Sequence, residues 1–231
     1  MFIKLLRGDF MQGIMETIFD IVYLTTVIYV GVNMFTKSNN NRQYRLFGIM
    51  AIILGFGDAF HLVPRAYGLL TTGLEANAAA LGIGKLITSI TMTIFYVILY
   101  YIWRQRYNIK GKNELTVIVY GLAITRIALC LFPQNEWLKY NANVAWGIYR
   151  NIPFAMLGSM IIYLFFKESR AYHDHRFKFM WLAIVLSFAF YTPVVLWSHS
   201  IPLVGVLMIP KTIAYVWIVF MGFGEFVNKN K

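Results

Sequence analysis

Long apolar runs, each of the length needed to cross a hydrocarbon core of about 30 Å, alternate with short polar links along the whole chain. The runs cover residues 13–35, 46–64, 79–103, 115–132, 144–166, 179–197 and 201–227. Between them lie links such as 36–45 with Asn39, Asn40 and Asn41, 104–114 with Gly111, and 167–178 with His173 and His175. The pattern predicts an all-α fold, a polytopic integral membrane protein of seven transmembrane helices that forms one domain over residues 1–231. Residues 1–12 read as a short amphipathic lead carrying Lys4 and Arg7. The run after them ends without a small-residue cleavage pattern, so it reads as a first spanning helix and not as a signal peptide.

Lysine and arginine are distributed unevenly over the links, and the imbalance sets the expected orientation. Thirteen of them (Lys37, Arg42, Arg45, Arg104, Arg106, Lys110, Lys112, Lys167, Arg170, Arg176, Lys178, Lys229, Lys231) fall on one side, against Lys4, Arg7, Arg65 and Lys139 on the other. Basic loops stay cytoplasmic, so the N-terminus is expected outside and the C-terminus inside. Composition agrees: of 231 residues 59% are hydrophobic and only 13% charged, too little polar surface for a soluble globule, and the expected location is the cell membrane, multi-pass. The net charge of +11 sits in these short basic clusters, which is a membrane-orientation pattern and argues against nucleic acid as a partner. The single cysteine, Cys130, lies inside an apolar run and allows neither a disulfide framework nor a zinc ribbon.

Four bases remain that no link can hold: Lys85, Arg126, Arg150 and Lys211. With the expected orientation all four fall in the outer half, as do Glu16, Asp20, Asp58, His61 and His199, so the helices are expected to surround one polar extracytoplasmic cavity above an apolar floor. An intramembrane ionisable group is expensive and points to function or to a paired structural role. Asp58, His61 and Arg65 stand at i, i+3 and i+7 and share one helical face. Asn143, Trp146, Arg150 and Pro153 form a second stripe, with asparagine, tryptophan and arginine on a face unsuited to lipid. Lys85 has a stem long enough to snorkel to the interface. Arg126 and Arg150 either pair with acids on neighbouring helices or hold a ligand, and Lys211 follows Pro210 with Tyr215 one turn further on. A zinc trio of Asp58, His61 and His199 is imaginable, but the expectation is no metal and no cofactor, with His173 and His175 solvated in their loop.

The segment Leu54-Gly55-Phe56-Gly57-Asp58-Ala59-Phe60-His61-Leu62-Val63-Pro64-Arg65 resembles the Gly-Asp-centred transmembrane motif of the YhhN family of lysoplasmalogenase-like membrane proteins. Members usually have eight spans and a second aspartate near the C-terminus, whereas this chain has seven runs and no aspartate beyond Asp174. The resemblance implies a lipid-processing hydrolase acting on a lysophospholipid-like substrate, with Gly57, Asp58, Pro64 and Arg65 carried over. Vinyl-ether hydrolysis needs a proton delivered to carbon, a role open to Asp58 with His61 beside it. Arg65, Arg126, Trp146, Arg150, Lys211 and His199 are then the candidate substrate-binding residues, the arginines supplying forked donors to a phosphate. Two other readings stand beside it: a transporter or receptor for a small anionic ligand, which an excess of bases over acids favours, and an accessory subunit without catalysis, which requires every acid and base to be paired. The expected partners are the lipid bilayer and a lipid or small anion.

Overall fold

The computed structural model describes residues 2–198 and 200–229, leaving aside the side chains of residues 2–10 and 202. Seven helices follow in order: α1 Phe2–Thr36, α2 Arg42–Leu70, α3 Ala78–Arg106, α4 Asn113–Leu131, α5 Val144–Ala171, α6 Met180–Trp197 and α7 Met208–Lys229. Short 3-10 segments at Pro133–Asn135 and Pro202–Leu207 lead into α5 and α7, and there is no strand among the described residues. Seven helical segments are long and apolar enough to cross a membrane. Helix starts follow the local chemistry: Asn41 caps α2 by accepting from the N–H groups of Gln43 and Tyr44, and Asn143 caps α5 by accepting from those of Ala145 and Trp146.

Helix α1 starts at Phe2, so the lead expected before residue 13 is part of it, and α5 runs on to Ala171; two further differences from the pattern of apolar runs bear on candidate residues. The second helix does not stop at Pro64 but passes through it to Leu70, so Arg65 stands on the helix and not in a link. A proline removes one ladder hydrogen bond, a loss that packing against flanking helices tolerates. The last helix starts at Met208 and not near Ile201, which puts Pro210 and Lys211 in its first turn. There the missing N–H of Pro210 costs nothing, because first-turn donors have no intrahelical acceptor.

Helix α2 is clamped between α1 and α3, and the glycines flanking Asp58 make this possible. A Cβ on Gly55 would lie 2.6 Å from Ile28 Cγ1 on α1, and one on Gly57 would lie 2.1 Å from Thr91 Oγ1 on α3. Thr88 Oγ1 also donates to the Gly57 carbonyl at 3.0 Å. Both glycines therefore serve helix contact. Around this layer an aromatic core is packed edge to face, with Phe95 against Tyr215 and Tyr96 against Phe154.

Polar links close the two ends. At one end Arg65 Nε and Nη2 donate to Glu16 Oε2 at 3.1 and 3.0 Å, tying α2 to α1. Gln43, 22 residues earlier on α2 and so about 33 Å away at about 1.5 Å per residue, donates to Glu225 at the other end. There Arg106 forks onto Asp174 at 2.8 and 2.9 Å, reaches Glu225 with Nη1, and lies over the Phe177 ring. One guanidinium thus fastens α3 to α7 and to the α5–α6 turn.

Burial raises the pKa of the Asp174 carboxyl, but the Arg106 hydrogen bonds and charge, helped by Phe177 N–H and Tyr107 O–H, outweigh it and hold it below the usual range. A depressed folded pKa contributes stability above the unfolded value of about 3.9, and that stability is lost as pH falls through the folded pKa. Asp174→Asn is therefore expected to lower detergent-solubilised stability by about 2 kcal/mol near neutral pH. In thermal melts at several pH values the gap between wild type and variant should stay constant above about pH 5 and shrink below about pH 4.

Candidate functional site

Three ionisable side chains lie inside the half of the bundle nearer the Arg65 end: Asp58 on α2, Arg126 on α4 and Lys211 on α7, exposed by only 9%, 2% and 6%. Each is positioned by a different constraint. Asp58 is fixed where α1 and α3 press onto the glycines beside it, and the Tyr23 hydroxyl from α1 donates to its Oδ2 at 2.7 Å. Lys211 is carried into the interior by the 3-10 segment before α7, which lets a first-turn residue be buried. Its ammonium lies 5.0 and 5.4 Å from the ring centres of Tyr191 and Tyr215, and its charge acts on Asp58 from beyond ion-pair distance.

Arg126 has the least ordinary surroundings. Its guanidinium carbon sits 3.3 Å from the Phe154 ring centre, a cation–π contact with a helix α5 aromatic. Nε and Nη1 are buried and have no hydrogen-bond acceptor, and no carboxylate among the described residues pairs with it. Tyr191, Cys130, Tyr215 and Tyr96 are its electrostatic neighbours, so Arg126 and Lys211 share two tyrosines. Those hydroxyls are largely engaged elsewhere: Tyr191 donates to Asn151 Oδ1 at 3.2 Å, and Tyr96 shares a 3.3 Å bond with Ser187. The arrangement holds two cations and one acid, all buried, among aromatic side chains, which suits it to bind negative charge.

The other candidate residues lie outside this cluster. His61 is partly buried, with Nδ1 3.4 Å from the Leu81 carbonyl of α3, and does not bond to Asp58 one turn before it. Arg65 is taken up by Glu16. Arg150 donates to Asn135 Oδ1 at 2.7 Å and covers the Trp137 ring; Asn135 in turn donates to the Leu129 and Phe132 carbonyls at the end of α4, so Arg150 braces a helix terminus. Trp146 stacks on Phe132 at the same end. Lys85 is exposed. His199 lies outside the described residues, and with it the trio of Asp58, His61 and His199. Among the described residues no three His, Cys, Asp or Glu side chains gather as a metal site would require.

The single polar cavity expected from the sequence is thus divided into a part-buried Glu16–Arg65 link, an Arg150 brace and a buried centre. Two open hollows of about 300 and 490 Å³ lie elsewhere, at the α5–α6 turn around His173 and along α4 around Tyr120. Sequence reasoning passed over Tyr23, Tyr96 and Tyr191, because a tyrosine in an apolar run reads as core. Tyr23 carried a signal all the same, since Glu16, Asp20 and Tyr23 stand at i, i+4 and i+7 on one face of α1.

A buried charge without an acceptor is costly: each orphaned charged donor costs about 1–3 kcal/mol or more, and the Phe154 contact returns only about 2. Arg126→Met is therefore expected to stabilise the ligand-free protein by about 1–3 kcal/mol in thermal melts. A marked loss of stability would mean that the guanidinium is held for the fold. Family models, curated proteins and solved structures were all compared with this chain, and none matches it.

Proposed function

We propose that the chain is a multi-pass protein of the cell membrane, with its N-terminus outside and its C-terminus in the cytoplasm, that binds a small anion between its helices as a transporter or receptor. The orientation rests on the thirteen-to-four bias of lysine and arginine between the two sides, which puts the Arg106 fastening at the cytoplasmic end. Outward apolar side chains such as Ile21, Val22, Val117 and Ile124 suit a lipid-facing surface. The observation that carries the functional reading is Arg126: a guanidinium, 2% exposed, with two donors unsatisfied and no acid paired with it among the described residues.

That observation also weighs the rivals. An accessory subunit without a ligand needs its buried charges to neutralise one another, and Arg126 has no such counterpart among the described residues. The lysophospholipid hydrolase suggested by the glycine–aspartate motif needs Asp58 turned to a substrate atom. Its Oδ2 is instead engaged by Tyr23, and His61 is turned to the Leu81 carbonyl. Anion binding asks nothing further of either residue.

The test uses purified protein in detergent, melted at constant ionic strength with sodium acetate, bromide, sulfate and phosphate. At least one anion is expected to raise the melting temperature saturably, and the shift should vanish in Arg126→Gln but persist in Arg65→Gln, whose partner is Glu16. Absence of any anion-dependent shift would contradict the proposal, as would turnover of a lysophospholipid that is lost in Asp58→Asn.

A further inference from the structure

The hollow at the α5–α6 turn is separate from the buried centre and has a chemistry of its own. It measures about 300 Å³ and is lined by Ser169 and Arg170 near the end of α5, by His173, Asp174 and His175 in the link, and by Lys178 just before α6. Both helices are long and apolar enough to cross a membrane, so a hollow between the end of one and the start of the other lies at the level of lipid headgroups. Aromatic side chains gather at the same level: Tyr172 and Phe179 are exposed, and Trp181 and Trp217 pack on Phe166 and Phe179.

Local bonds fix the walls of this hollow. The Asp174 N–H donates to the Ser169 carbonyl at 2.8 Å and the His173 N–H to the Arg170 carbonyl at 3.2 Å, the pair of bonds that ends a helix on a left-handed residue. Glycine usually takes that place, and here it is His173, with φ 48°. The Asp174 carboxylate holds the far side of the turn by accepting from the N–H groups of Arg176 and Phe177 at 3.1 and 3.2 Å.

The acids of this corner are met by bases from other elements. Residues 167–178 carry Lys167, Arg170, Arg176 and Lys178 against Glu168 and Asp174. Asp174 is taken by the Arg106 fork, Glu168 faces Lys112 at 4.0 Å, and Glu225 of α7 is shared by Arg106 and Lys229. Glu114, at the start of α4, is not among the lining residues. Arg170 and Lys178 enter no ion pair among the described residues. Each lies over a neighbouring ring instead, Arg170 over Phe166 at 3.9 Å and Lys178 over Phe179 at 4.7 Å, a contact that attracts a cation without using its N–H donors.

We propose that this hollow holds the phosphate-bearing headgroup of an anionic phospholipid, with Arg170 and Lys178 as its cationic donors and the imidazoles of His173 and His175 beside them. A guanidinium fork and an ammonium suit the oxygens of a phosphodiester, and the position at the membrane surface, among exposed aromatics, favours a lipid over a dissolved anion. With the orientation proposed above the lipid belongs to the cytoplasmic leaflet, where anionic lipids draw basic residues to the surface. The orientation decides only the leaflet, and the proposal stands apart from the reading of Arg126.

The experiment titrates phosphatidylglycerol or phosphatidylcholine into the protein in a neutral detergent at constant ionic strength, reading the melting temperature and, by native mass spectrometry, the lipid retained. Wild type is expected to respond to phosphatidylglycerol saturably, at concentrations at least about tenfold lower than to phosphatidylcholine. In Arg170→Gln/Lys178→Gln the response should need at least about tenfold more lipid, since each basic residue at an anionic surface is worth about fivefold, or about 1 kcal/mol. Lys37→Gln/Arg45→Gln removes as much charge from exposed residues at the same end and is expected to respond as wild type, as is Arg126→Gln. Should the first double variant fail to fold, Lys178→Gln alone is expected to show about a fivefold loss. Equal responses to the two lipids would overturn the proposal, and so would an unchanged response in Arg170→Gln/Lys178→Gln or an equal loss in Lys37→Gln/Arg45→Gln. Displacement of the retained phosphatidylglycerol by an equal concentration of inorganic phosphate would mark a site for dissolved phosphate and overturn it as well.

Discussion

A charge placed inside a helical bundle must find a counter-charge, a set of dipoles or a ligand, and the structure is arranged by how each buried group meets that demand. At one end Arg65 meets Glu16; at the other Arg106 meets Asp174 and Glu225 together. Arg150 meets an amide oxygen and an indole face. Asp58 meets a tyrosine hydroxyl. Arg126 meets the Phe154 ring, three tyrosines and the Cys130 thiol, and no carboxylate among the described residues; Nε and Nη1 stay without an acceptor, since a ring face attracts a cation without satisfying its N–H donors. The imbalance is confined to one place, which is why that place carries the functional reading.

The fold supports this division mechanically. Helices α1, α2 and α3 approach closely because Gly55 and Gly57 leave no side chain between them, and the same contacts lock the position of Asp58. Helices α4, α5 and α7 bring Arg126, Phe154 and Lys211 from the other side, and the Arg106 fastening joins α3 to α7 at the far end. The candidate site therefore lies where the close-packed layer meets the remaining helices. A bound anion would bridge Arg126 on α4 and Lys211 on α7, two elements joined directly by no ion pair among the described residues.

Helix number and approximate extent were legible because apolar run length depends on local composition alone. The ends were less so: Pro64 suggested a stop, yet packing on both sides carried α2 on to Leu70, and Pro210 proved to sit in a first turn that tolerates it. That Asp58, Arg126 and Lys211 lie inside the bundle followed from the absence of any loop to hold them. Their partners did not follow. Whether Arg150 meets a ligand or Asn135 depends on the rotation of α5 against the end of α4, which no periodicity encodes. Glu225 was invisible as a partner of Arg106, since the two are 119 residues apart and meet only when α3 and α7 are packed.

An anion held by the unpaired Arg126 guanidinium can be located by diffraction. Crystals soaked in bromide give an anomalous signal wherever the ion is held. A peak is expected within hydrogen-bond reach of the Arg126 guanidinium and is expected to disappear in crystals of Arg126→Gln. Bromide found only at the exposed basic residues of the α5–α6 turn, such as Arg170 and Lys178, with none beside Arg126, would contradict it.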